Sequence, residues 1–135
     1  MKADSNKFPE LNKTKFENRG KEFKLGIPVT NAITIGNSIA VGFGDGTVRI
    51  FRSGQISEPI KAHSGVVLSI SKDGEDILTG GDDGRFLKIS LDGEINEIAN
   101  FGSRWVDHVT AYNGSLVCTS GNIVYLWMPN KKEPK

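Results

Sequence analysis

The chain has 135 residues, the size of one domain, and its 17 Lys and Arg against 16 Asp and Glu leave a formal net charge of +1. This balance gives no support for a nucleic-acid arm or a membrane-surface helix. The single cysteine, Cys118, excludes an intrachain disulfide and a thiolate metal cluster. Because the N-terminus also lacks the apolar stretch of a signal peptide, we predict a cytoplasmic protein.

The N-terminal residues 1–15 are polar and show no hydrophobic periodicity, which predicts a disordered polar arm. The folded part is predicted to span residues 16–135.

A repeat of 38 residues follows, since Phe51, Ile89 and Trp127 are each 38 positions apart. The segments that end at these residues align without a gap. Each consists of a short apolar run, a corner and an alternating run. The corners are Asp45-Gly46, Asp83-Gly84 and Gly121-Asn122. Such dipeptides accept the backbone of tight hairpin turns, so each row is predicted to form a hairpin.

Further strands flank each hairpin. One precedes it, at 32–35, 67–71 and 109–112, and an outer strand follows the first two, at 55–60 and 94–98. Pro59 has no N–H to donate, which places its strand at a sheet edge. Four antiparallel strands in about 38 residues describe a propeller blade, so the predicted fold class is all-β.

The rows resemble the WD-repeat β-propeller family over about residues 28–130. The second row carries Ala62-His63-Ser64-Gly65, Lys72-Asp73-Gly74 and Leu78–Gly84, and Gly44–Phe51 is similar to the family's D-G-T-V-R-L-W strand. Trp127 is retained in the third row, but no row has a literal W-D. The resemblance implies about three four-stranded antiparallel blades, in rows of about 28–62, 63–103 and 104–135, that do not close a ring. By similarity to the closing strands of this family, Lys15–Leu25, which includes Phe16, Phe23 and Leu25, is expected to supply one extra edge strand.

The same resemblance implies a structural hydrogen bond between His63 and Asp83. The alternative role for His63, as a general base or metal ligand, has less support because His108 is the only other histidine. Cys118 aligns with Gly42 and Gly80, so we interpret it as a small packing residue, with a reactive thiol as the alternative.

A segment that breaks the repeat, 101–108, lies in a connection between blades. The resemblance places such connections on one face of the disc with the hairpins of the second and third strands. Trp and Arg are frequent hot spots of interfaces. We therefore predict a protein-binding rim composed of Arg104, Trp105, Asp107, His108, Asp45, Asp82 and Ser64. The alternative is that Trp105 packs between two blades.

The sequence contains no nucleophile elbow, metalloprotease pair or phosphate-binding loop. We therefore predict a non-catalytic scaffold with no cofactor and no metal, which binds a protein partner and neither nucleic acid nor membrane. The alternative is part of a propeller enzyme or ligand sensor with a small molecule or metal in a central channel. The ring can be completed by a longer chain, by copies or by a partner, or it can stay open.

Overall fold

The computed structural model describes residues 18–129, so the predicted arm 1–15 lies outside the described residues. Twelve strands form three antiparallel sheets, here called blades A, B and C. Blade A holds β1 (Val29–Ile35), β2 (Ser38–Phe43), β3 (Thr47–Arg52), β4 (Gln55–Ile56) and β5 (Ile60–Lys61). Blade B holds β6 (Val67–Asp73), β7 (Asp76–Gly81), β8 (Arg85–Ile89) and β9 (Ile95–Asn100). Blade C holds β10 (His108–Tyr112), β11 (Ser115–Ser120) and β12 (Ile123–Trp127). Within residues 18–129 no helix is long and apolar enough to cross a membrane.

The blades face each other through two apolar layers. Between blades A and B the buried residues are Ile35, Ala40, Val48, Ile50, Ala62, Val67, Ile77, Leu87 and Ile89. Between blades B and C they are Leu78, Phe86, Val106, Val109, Cys118 and Trp127. Blade B therefore buries side chains on both of its faces, whereas blades A and C each have one face that no other blade of residues 18–129 covers.

The outer strand of blade A is interrupted, so the prediction of one strand over 55–60 was wrong. Both short pieces, β4 and β5, pair with β3. Between them the Ile50 amide donates to Ser57 Oγ at 2.9 Å, and the Ser57 amide donates to the Ile50 carbonyl at 2.8 Å. The serine side chain thus replaces one ladder bond just before Pro59, which can donate none.

In the third row the strand before the hairpin, β11, is shifted by one residue relative to β2 and β7 in the first two rows. Three residues separate β2 from β3 and β7 from β8, but only Gly121 and Asn122 separate β11 from β12. Thr79 pairs with Leu87, and Cys118 pairs with Tyr125 in the same relation. The alignment of Cys118 with Gly42 and Gly80 was therefore wrong. Cys118 corresponds to Thr79 because the shorter turn shifts β11 by one position.

The predicted edge strand at Lys15–Leu25 is not a strand in its described part, residues 18–25. Instead, Phe23 packs edge-to-face on Phe51 with ring centroids 5.2 Å apart, and Lys21 Nζ donates to the Gly54 carbonyl at 3.0 Å. The outer edge of β3 is already taken by β4 and β5, so blade A offers this segment an apolar face and no strand edge.

Candidate interaction face

The connections between the blades lie directly on the hairpins of the preceding blades. The carbonyls of His63 and Gly65 contact the position where a side chain at Gly46 would lie, and the Gly102 carbonyl does the same at Gly84. Both glycines have positive φ, +89° and +81°. Any side chain there would displace the connection, so Gly46 and Gly84 allow the two connections to cover the hairpins.

Connection 62–66 is held by side chains. His63 is buried, with Nδ1 2.9 Å from Asp83 Oδ1 and Nε2 2.8 Å from Thr79 Oγ1. These partners fit a neutral ring in which Nδ1–H donates to the carboxylate and the Thr79 hydroxyl donates to Nε2. Burial lowers the pKa of His63 and outweighs the opposing hydrogen bond and charge of Asp83. The histidine is thus a neutral structural bridge.

The two aspartates of the blade B hairpin are engaged in the same connection. Asp83 accepts hydrogen bonds from the amides of Ser64 and Arg85. Burial raises its pKa, but the bonds from His63 and these amides outweigh burial and hold the pKa below its usual value. Asp82 Oδ1 accepts from the Val66 amide at 2.9 Å. Of the predicted rim residues here, the Ser64 side chain is exposed and the Asp82 carboxylate is occupied inside the fold.

Asp45 is also directed into its own hairpin. It is exposed, and its carboxylate accepts from Thr47 Oγ1 at 2.7 Å and from the Thr47 amide at 3.1 Å. The hydrogen bond from the Thr47 hydroxyl lowers its pKa. Asp45 therefore stabilises the turn of blade A, and no contact in the described chain joins it to the Arg104–His108 part of the rim.

Connection 101–107 is held by backbone bonds, by one buried residue and by one arginine side chain. The amides of Val106 and Asp107 donate to the carbonyls of Gly81 and Thr119, both at 3.0 Å, and the Val106 side chain is fully buried. Arg104 Nη2 donates to the Ser120 carbonyl at 3.1 Å. Between these fixed points Trp105 is 55% exposed, so most of its indole is not packed between blades.

His108 starts β10, is exposed, and pairs with Thr119 on the face of blade C that no other blade covers. Asp107 beside it is half-buried. The structure thus brings Arg104, Trp105, Asp107 and His108 together at the border of blades B and C.

Two residues that sequence reasoning missed support this face. Thr79 completes the His63 bridge, and Arg85 Nη1 donates to the Ala62 carbonyl at 3.0 Å while its Nε pairs with Glu97. Thr79 occupies a position where the WD-repeat pattern has a serine, and this similarity could have predicted its role. For Arg85 no signal exists, because its partners are 23 and 12 residues distant.

Cys118 is buried, and burial raises the pKa of its thiol to about 12. The thiol is therefore un-ionised at neutral pH, which removes the basis for the reactive-thiol alternative.

In the described part of the chain no group of three or more His, Cys, Asp and Glu residues could hold a metal. A groove of about 450 Å³ lies between the outer parts of blades A and B, lined by Ile50, Ile60, Leu91 and Ile95 among others.

Comparison with solved structures decides the fold. The WD40 β-propeller domain of Doa1 matches 80% of this chain with a TM-score of 0.65 and 20% identity, and a chain of the mitotic checkpoint complex matches 84% with a TM-score of 0.70 and 21% identity. The fold is that of a partial WD40 β-propeller. The computationally designed Ika4 protein is also similar, with 76% of this chain matched, a TM-score of 0.65 and 19% identity.

This chain spans 39% of the Doa1 chain, 38% of the checkpoint-complex chain and 66% of Ika4. No protein-family profile matches the sequence, and no curated protein matches it. The comparisons therefore give the architecture of the blades, and the ring is incomplete within this chain.

Proposed function

We propose that this chain is a non-catalytic scaffold that binds another protein through the face at the border of blades B and C. One observation carries the proposal: Trp105 is 55% exposed on a connection fixed on both sides, by Arg104 and by Val106. A large aromatic side chain on a rigid loop loses little conformational entropy when a partner covers it. The checkpoint-complex match is itself a chain in a protein assembly, which agrees with such a role.

The binding surface we propose consists of Arg104, Trp105, Asp107 and His108, with the exposed Ser64 as its neighbour on the blade A side. Asp45 and Asp82 belong to the face as turn and loop stabilisers, because the carboxylate of the exposed Asp45 is bonded to Thr47 in its own turn and that of Asp82 to the Val66 amide. The partner is expected to bring an apolar pocket for the indole. The cytoplasmic location remains a prediction of the sequence.

The test is affinity capture from cell extract with three baits: the parent chain, Trp105→Ala and Tyr112→Ala. Tyr112 is 79% exposed at the far end of β10, so it is a matched loss of an exposed aromatic residue outside the rim. We expect quantitative mass spectrometry to find proteins that the parent and Tyr112→Ala retain and that Trp105→Ala loses. Equal recovery by all three folded baits would refute the proposed site.

A further inference from the structure

The groove between the outer parts of blades A and B contains no residue of the proposed binding surface. Its cavity of about 450 Å³ continues towards the β3–β4 turn as a second cavity of about 300 Å³, and the two share Ile50, Ser57 and Leu91. Together they form one groove in the size range of ligand sites. Large aliphatic side chains line it: Ile50, Ile56, Ile60, Leu91 and Ile95.

The groove follows the outer strand of blade A. At one end Gln55 lines the groove and pairs with Arg52. At the other end Ile60 lines it and pairs with Val48. Val48 and Arg52 are four positions apart on β3, which corresponds to about 13 Å. An extended chain of about four residues therefore spans the groove from end to end.

Pro59 leaves this groove open. Ile60 of β5 and Ala99 of β9 pair with equivalent positions of β3 and β8. The residues that precede them, Pro59 and Ile98, are therefore equivalent as well. Ile98 packs into the apolar layer between blades B and C, whereas the smaller Pro59 lines the groove. A position that is filled between blades B and C is thus left open between blades A and B.

The floor of the groove also differs from the equivalent surface of blade B. Ile50, which lines both cavities, is 7% exposed. Its equivalent in blade B is Lys88, whose Nζ donates to Asp73 at 2.9 Å. Blade A thus has an aliphatic floor where blade B has a neutralised charge. Departures of this kind between equivalent elements are expected at functional sites.

Charged side chains of opposite sign line the two ends. Arg52 lines the end near the β3–β4 turn, where its Nε donates to Ser38 Oγ at 2.7 Å and leaves the other guanidinium N–H groups for a ligand. Glu58 and Asp92 line the other end, one on each blade, and both are exposed. No side-chain bond engages these two carboxylates in residues 18–129. Lys61 lines this end as well, so its net charge is −1 against +1 at the Arg52 end.

We propose that this groove binds an extended segment of a partner protein that carries aliphatic residues between an acidic and a basic residue. The aliphatic side chains enter the groove, and their burial drives binding. The acidic residue pairs with Arg52, and the basic residue pairs with Glu58 and Asp92. Because the two ends have opposite charge, they also fix the direction in which the segment lies.

Selection of random peptides displayed on phage tests the proposal, with the parent chain as bait and Pro59→Ile for counter-selection. Pro59→Ile supplies the side chain that Ile98 has in blade B, so it should fill the groove, and unfolding curves report that it is folded. We expect the peptides that only the parent retains to share aliphatic residues between Asp or Glu and Lys or Arg. Failure to enrich any peptide over a folded Pro59→Ile, or a consensus without these charges, would overturn the proposal.

Fluorescence polarisation with the strongest selected peptide measures the contribution of each end. Arg52→Glu and Glu58→Lys should each raise the dissociation constant about tenfold at low salt, and less at high salt. Glu75→Lys is the matched control, because it reverses a charge in the exposed turn between β6 and β7, which does not line the groove. This control should bind as the parent does. Equal effects of Glu58→Lys and Glu75→Lys would contradict a specific charge contact.

Two further variants establish where the peptide binds and what else could fill the groove. Trp105→Ala should bind the peptide as tightly as the parent, so the outcome is independent of the proposed binding face. Loss of binding in this variant would place the peptide on that face and overturn the inference. Phe8→Ser with Leu11→Ser, outside the described residues, should also leave the affinity unchanged. A gain of about tenfold would mean that this chain's own segment competes for the groove, and would overturn a partner as its occupant.

Discussion

The two connections between blades each cover the hairpin of the preceding blade, but they are held there by different sets of groups. In 62–66 backbone bonds from the Ala62 and His63 amides to the Gly46 carbonyl are joined by three paired side chains, those of His63, Asp82 and Asp83. In 101–107 the fixing groups are backbone amides, the buried Val106 and one side-chain bond, from Arg104 to the Ser120 carbonyl. Because the second connection does not use its side chains for its own fixation to the same extent, Trp105 is left at the surface. A connection that engages fewer of its side chains leaves more of them for binding a partner.

The largest change in stability is expected from Gly84→Ala, because a side chain at this position would displace the second connection from its hairpin. The substitution combines a positive φ with a direct overlap on the Gly102 carbonyl, and should lower the free energy of unfolding by about 3 kcal/mol. Gly54→Ala is the matched control, since its φ of +75° is similar but its surroundings are open, and about 1 kcal/mol is expected. Equal losses in urea denaturation would contradict the close approach.

His63→Ala breaks the side-chain bridge of the first connection. It leaves Asp83 and Thr79 without their partner and opens a cavity, so we expect a loss of about 2–3 kcal/mol in the same urea assay. His108→Ala removes the other, exposed histidine and should change stability by less than about 0.5 kcal/mol.

The pH dependence of the free energy of unfolding distinguishes the buried His63 from the exposed His108. Burial places the pKa of His63 in the folded chain below its unfolded value of about 6.5, so the unfolded state binds the proton first. The free energy of unfolding should therefore be constant above that pH and fall as the pH drops below it. His63→Gln should flatten this part of the profile, whereas His108→Gln should retain it. A profile that is unchanged in His63→Gln would assign the effect to another group.

A small effect for the size of the side chain is expected from Trp105→Ala, which should lower the free energy of unfolding by about 1 kcal/mol because more than half of the residue is exposed. Its neighbour Val106→Ala should cost about 2 kcal/mol, because Val106 is fully buried. A large loss in Trp105→Ala would mean that the indole holds the blades together and is not available to a partner.

Much of the fold could be predicted because the turns are local signals. Asp45-Gly46 and Asp83-Gly84 fix their hairpins within a few residues, and the 38-residue spacing orders the blades. The length of the third hairpin could not be predicted, since Gly121-Asn122 fits a gapless alignment as well as a shorter turn. Nor could the exposure of Trp105, which depends on where the Gly81 and Thr119 carbonyls lie.

Because of the one-residue shift in the third hairpin, blade C cannot be exchanged for another blade at the positions that are equivalent in blades A and B. Blades A and B can be cut at equivalent positions 38 residues apart, and their three inner strands stay in phase. The same cut through blade C would turn β11 over, because the side chains of a strand alternate between its two faces. Recombination that exchanges blade C for another must therefore transfer β10, β11 and the hairpin as one unit.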